Sequence, residues 1–174
     1  KGVWGAQTSG ANIVSFNARA FESYGKRQRG GENAPIGQAA SFAYTTALNH
    51  LLRKGSQQRV QGGDSSTVFW AERPNDLEAA LPILFDDPPE DDPDRGSRAI
   101  HALYRAVDSG QFAVGEPNDR FHVLGLAPSA ARISIRFWET APALELARRV
   151  RLHFEDLRIA RGPKDLEHLS LTRL

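Results

Sequence analysis

Hydrophobic residues recur at helical intervals in three long stretches of the chain and cluster in β-favouring runs in others, and these two periods predict most of its elements. Ile36, Ala40, Ala43, Ala47, Leu48 and Leu51 share one side of a helix running to Leu52, opened by Asn33 and Pro35 and closed by Gly55. Ile100, Leu103, Tyr104 and Val107 mark a second helix over Arg95–Ser109, with Gly110 beyond its end. Leu144, Ala147, Val150, Phe154 and Leu157 mark a third, which Thr140 is expected to cap and which ends before Gly162 and Pro163. A shorter helix from Leu77 to Phe85 follows the capping residues Asn75 or Asp76 and carries Pro82 inside it.

Residues 12–17 are a short β-prone run and predict a first strand. A second is expected over Ser66 to Glu72, where Thr67, Val68, Phe69 and Trp70 favour extended backbone between a Gly62-Gly63-Asp64 turn and Pro74. Phe121–Leu126 and Ala131–Glu139 read as a hairpin around Pro128 and Ser129. In its second strand Ile133, Ile135 and Phe137 are expected to face the core, leaving Arg132, Ser134, Arg136 and Trp138 on the other side. The order β-α-β-α-α-β-β-α predicts an α+β fold, a largely antiparallel sheet with helices packed on one face. The 174 residues suit a single domain over 1–174.

Charge changes this picture more than composition does. The net charge is +1, yet Asp86, Asp87, Glu90, Asp91, Asp92 and Asp94 place six carboxylates in an acidic, proline-rich stretch, so the remainder carries +7. Residues 86–94 are expected to be a solvent-exposed loop, because like charges and prolines oppose packing. The basic balance elsewhere suits a polyanion-facing surface. There is no cysteine, which excludes thiol catalysis and zinc ribbons. No apolar run reaches the roughly 20 residues of a membrane span, so no membrane partner and a cytoplasmic location are expected. The chain has no Met and begins at Lys1 within a loop-like stretch, which predicts an internal fragment of a longer subunit.

Residues 5–52 run without filler from a glycine-punctuated loop through Ser15-Phe16-Asn17 and Phe21-x-x-Tyr24-Gly25 to a basic loop and an alanine-rich helix. This stretch resembles the large subunit of the type I-C CRISPR interference complex, Cascade. The resemblance continues in Thr67-Val-Phe-Trp70-Ala-Glu72, in residues 121–128, in Ala131-Arg132 and in Arg136-Phe-Trp138-Glu139, and so covers most of the chain. It implies a non-enzymatic structural and DNA-binding module acting in antiviral defence, with target DNA and the guide-RNA-bound Cascade subunits as partners and no cofactor.

The residues themselves offer three places for such contacts. Lys26, Arg27 and Arg29 lie in a glycine-flanked loop able to approach a phosphate backbone. Arg132, Arg136 and Trp138 combine guanidinium groups with an indole suited to base stacking. Gln7 and Ser9 sit in a Gly-Ala-Gln-Thr-Ser-Gly loop rich in donors, which lacks the Gly-Lys-Ser/Thr ending of a triphosphate loop. Each has a plainer alternative: a solvated loop, a helix-covered face whose arginines pair with Glu139 or the acidic loop, and a tight turn. The enzymatic alternative is a magnesium-dependent nuclease using Asp64 and Glu72. Purely packing against other subunits is the third reading. His50, His101, His122, His153 and His168 are scattered, and no catalytic or metal-binding residue is assigned.

Overall fold

A computed structural model describes residues 2–4, 10–13, 19, 22, 25–26, 32–85, 89–130 and 132–156. In chain order its elements are α1 (Gln38–Leu52), β1 (Arg59–Gly62), β2 (Ser65–Ala71), α2 (Asp76–Phe85), α3 (Arg95–Ser109), β3 (Arg120–Ser129), β4 (Arg132–Pro142) and α4 (Ala143–Asp156). The strands form one antiparallel sheet in the order β1-β2-β3-β4, so the fold is α+β as the pattern predicts. β1 is an addition: Gly62 pairs with Ser65 across a two-residue turn in which Gly63 takes φ +59°, a conformation that glycine reaches without steric cost.

Two apolar layers hold the sheet, one on each face. On one, Phe69 and Phe121 stack with ring centroids 6.2 Å apart beneath Leu77, Leu81 and Leu84 of α2, Ile100 and Leu103 of α3, and Ala147 and Phe154 of α4. On the other, Val68, Leu124, Leu126 and Ile133 meet Leu51 and Leu52 of α1, together with Val3 and Ala11. The expectation of helices on one face thus holds for α2, α3 and α4, while α1 lies across the sheet from them. The helix starts only at Gln38, and its buried residues are Thr45, Leu51 and Leu52; Ala40, Ala43 and Ala47 are exposed.

Local chemistry sets the helix ends. Asn75 Oδ1 accepts the Leu77 N–H at 3.1 Å, satisfying one of the donors that open α2. Asp76 Oδ2 accepts the Ala113 and Val114 N–H groups at 2.7 and 3.0 Å, tying the loop after α3 to the same point. Glu78 Oε1 accepts from the Ala71 N–H and the Gln58 side-chain amide, fastening α2 to β2 and to the approach to β1. α3 occupies Arg95–Ser109 as expected, and Gly110 closes it at φ +69°. Thr140 does not cap α4: it lies in β4, where its hydroxyl meets His122 Nδ1 at 2.9 Å. The opening N–H groups of α4 donate instead to the Asp119 and Pro117 carbonyls.

Asn12 forms a parallel bridge to Arg132, with the Ile133 N–H donating to the Asn12 carbonyl at 3.1 Å; residues 14–17 of the expected first strand lie outside the described residues. Of the acidic stretch, 86–88 also lie outside, and Asp92 pairs with Arg98 at 2.5 Å. Among the described residues no helix is long and apolar enough to cross a membrane.

Candidate nucleic-acid interface

The β3–β4 hairpin positions the candidate site, and one irregularity decides its geometry. Leu126 pairs with Ile135 but Gly125 pairs with Phe137, so Arg136 is an extra residue with no partner on β3. Such a bulge inverts the in-and-out alternation beyond it. Trp138, opposite Leu124, therefore joins Ile133 and Ile135 on the face that carries Val68 and α1. Phe137 goes to the other face and lies over Gly125, where a β-carbon would stand 2.2 Å from its ring.

The expected division of β4 into a core face and a cationic face does not survive this. Ile133 is buried, whereas Ile135 and Phe137 are 47% and 45% exposed. Trp138 and Arg132 project from opposite faces, and Arg136 sits at the bulge between them. Both arginines are exposed and make no ion pair among the described residues. Glu139, their expected alternative partner, is 3.7 Å from Arg149 of α4.

Trp138 is 58% exposed and meets Trp70 edge-on, with centroids 6.5 Å apart. Trp70 in turn stacks on His122 at 5.0 Å, and His122 Nε2 lies 3.7 Å from Glu72 Oε1. These three rings cross three adjacent strands. Together with Ile135 and with Tyr44, Leu48 and Leu51 of α1, the two tryptophans line an open groove of about 710 Å³ between helix and sheet. Ala47 also faces it, and its single methyl group leaves the groove its width. The lining is apolar and aromatic, a surface suited to a planar base or an apolar side chain, with edge-to-face aromatic contacts as the ready interaction.

Lys26 is exposed, and its carbonyl accepts a long bond from the Asn33 side-chain amide. Gln7, Ser9, Arg27 and Arg29 lie outside the described residues. Trp70, expected in the second strand, is only half-buried and forms the groove floor with His122 beside it. The pairing of Trp70 with His122 across β2 and β3 is the signal that would have found this ladder, but Trp138 joins it only through the bulge. Asp64 and Glu72 flank the seven residues of β2 at opposite ends, roughly 25 Å apart at the usual strand rise, too far to share an ion. Among the described residues no group of three or more His, Asp or Glu side chains is placed to hold a metal.

A search of curated proteins found no match to the chain. A family model described as CRISPR-associated protein (Cas_Csd1) matches residues 1–174. The match spans every element that builds the groove, and it carries the coarse function with it, a role in CRISPR defence. The chain belongs to the CRISPR-associated Cas_Csd1 family.

Proposed function

We propose that this chain is a non-enzymatic module of the large subunit of a type I-C Cascade complex, contacting target DNA and helping to hold the assembly together. The family match supplies the setting. The observation that carries the DNA-binding reading is Trp138, an indole more than half exposed at the mouth of an aromatic groove, on a strand that also carries the exposed cations Arg136, at the adjacent bulge, and Arg132, on the opposite face, neither ion-paired among the described residues. An indole left facing water among apolar neighbours gains free energy when something planar or apolar covers it, and phosphate-following cations nearby favour a nucleic acid. Sequence readout in such a complex is delegated largely to base pairing with the guide, so the protein needs positioning contacts rather than a base code.

The test is fluorescence anisotropy with labelled single-stranded and duplex DNA over a range of salt. Replacing Arg132 or Arg136 by glutamine should flatten the log–log salt slope by about 0.7 on single strands or about 0.9 on duplex for each phosphate no longer neutralised. Trp138→Ala should weaken single-strand binding by roughly 1–3 kcal/mol while leaving the melt cooperative. If all three variants bind with unchanged affinity and slope, β4 does not contact DNA.

A second reading, packing against another subunit, is favoured by one observation: Ile135, Trp138 and Phe42 are large apolar side chains left exposed on or near α1 and the groove. It predicts that Trp138→Ala weakens co-purification with partner subunits and leaves DNA binding of the isolated chain intact.

A further inference from the structure

A second concavity, of about 690 Å³, opens at the C-terminal end of α1. Its walls carry Trp4, Asn49, His50, Arg53, Lys54 and Arg59, a combination of one indole and three cations with no carboxylate among them.

The position of Trp4 is built rather than incidental. Val3 and Ala11 exchange backbone hydrogen bonds at 2.8 and 2.7 Å, and both are buried beside Leu51 and Leu52. Asn49 of α1 clamps this short ladder from the other side: its Oδ1 accepts the Trp4 N–H at 3.0 Å and its Nδ2 donates to the Gly2 carbonyl at 3.1 Å. With Val3 turned inward, Trp4 turns outward and is 65% exposed. Its backbone is fixed while its ring is offered to solvent.

Arg59 supplies the second observation. Its guanidinium donates to the Leu52 carbonyl at 2.8 Å and to Gln61, yet its Nε is buried with no acceptor. No carboxylate pairs with it among the described residues. A partly buried, uncompensated cation is costly unless an anion completes it. Arg53 and Lys54 also suit the negative pole of α1, which alone would account for those two cations. It accounts neither for Arg59 nor for the indole beside them.

We propose that this concavity binds one nucleotide unit of a single-stranded nucleic acid, its base stacked on Trp4 and its phosphate held by Arg53, Lys54 and Arg59. His50 lines both this site and the Trp70–Trp138 groove, so one strand can pass from one to the other along α1. The inference rests on the nucleic-acid reading for its ligand class but uses none of the same cations.

The test isolates Trp4 as the only indole by the substitutions Trp70→Phe and Trp138→Phe in the full chain, then titrates with unlabelled oligothymidine while following tryptophan emission. Stacking on Trp4 quenches it. In the otherwise native chain, Trp4→Ala should weaken anisotropy-detected binding of labelled oligothymidine roughly five- to a hundredfold, with Trp4→Phe restoring most of it. Arg53→Gln with Lys54→Gln should lower the single-strand salt slope by up to about 0.7, the share of the one phosphate they hold. Trp4 is exposed, so the melts of its variants should match the parent and exclude a folding defect. Unchanged Trp4 emission while anisotropy still rises overturns this site and leaves the Trp138 surface standing. Quenching of Trp4 together with native binding by Trp138→Ala does the reverse. Absence of any anisotropy change with the parent chain sinks both.

Discussion

Replacing Gly125 by alanine tests the bulge that orients Trp138. A β-carbon there would lie 2.2 Å from the Phe137 ring, a distance no real contact tolerates, so the ring must move. Phe137 is 45% exposed and has room to swing outward, which puts the cost in the range of ordinary overpacking, about 1–3 kcal/mol. Against this, removing a glycine from a strand interior recovers about 0.5–1 kcal/mol of backbone entropy. The expected net effect is a loss of about 1–2 kcal/mol. With Phe137→Ala already in place the clash is gone and only the backbone gain remains, so the same Gly125→Ala change should stabilise by about 0.5–1 kcal/mol. A reversal of sign of this kind corresponds to a coupling energy within the range of about 0.5–3 kcal/mol seen for residues that touch. Urea unfolding of the four proteins, followed by tryptophan fluorescence with the m-value held constant, measures it. Equal effects of Gly125→Ala in both backgrounds would show that Phe137 does not cover Gly125. The register shift would then be misplaced, and Trp138 would face away from α1.

Two further expectations concern stability. Phe69 is 1% exposed and stacked on Phe121, so Phe69→Ala should cost about 3–5 kcal/mol in chemical denaturation, and a cost under about 1 kcal/mol would remove that layer as the main core. Asn75→Ala takes away the side-chain acceptor at the start of α2 and the donor to the Glu116 carbonyl; a loss of about 1 kcal/mol is expected, and none at all would mean that water replaces the cap.

Strong periodicity and strong punctuation make elements legible in this chain. The bounds of α3 are readable because its apolar stripe, from Ile100 to Val107, ends at a glycine able to take the left-handed conformation that closes a helix. β2 and the hairpin are legible for similar reasons, as β-branched and aromatic runs between turn residues. β1 escapes the pattern because Arg59-Val-Gln-Gly is short, largely polar and, among the described residues, pairs only with β2, which is an edge strand's usual disguise. The helical period locates α1 and places Leu48 and Leu51 on its packed side, while Ala40, Ala43 and Ala47 of the same stripe stay exposed, since alanines are equally content in or out of a core and the burial is decided by Leu51 and Leu52 at its end. Thr140 resembles a cap because a helix does begin nearby, yet the donors of α4 find backbone carbonyls across the 116–119 turn, a long-range solution invisible locally.

The site is less legible than the fold for a physical reason. Face assignments along β4 follow from simple alternation, and one unpaired residue at Arg136 inverts everything beyond it. Bulges carry no sequence signature as strong as a turn's. The aromatic ladder of Trp70, His122 and Trp138 is therefore a product of tertiary pairing, while the cations at 132 and 136 are legible as cations without their geometry.

The inserted residue at Arg136 has a consequence for solubility as well. β4 is the last strand of the sheet, and among the described residues Asn12 bridges to its outer backbone. A flat, evenly hydrogen-bonding margin of that length invites a second molecule to add its own strand there. The irregular spacing at Arg136, with charged guanidinium groups there and at Arg132, spoils that template and makes two like margins repel. The hairpin can thus display tryptophan and isoleucine to solvent while discouraging copies of the chain from growing into a continuous sheet.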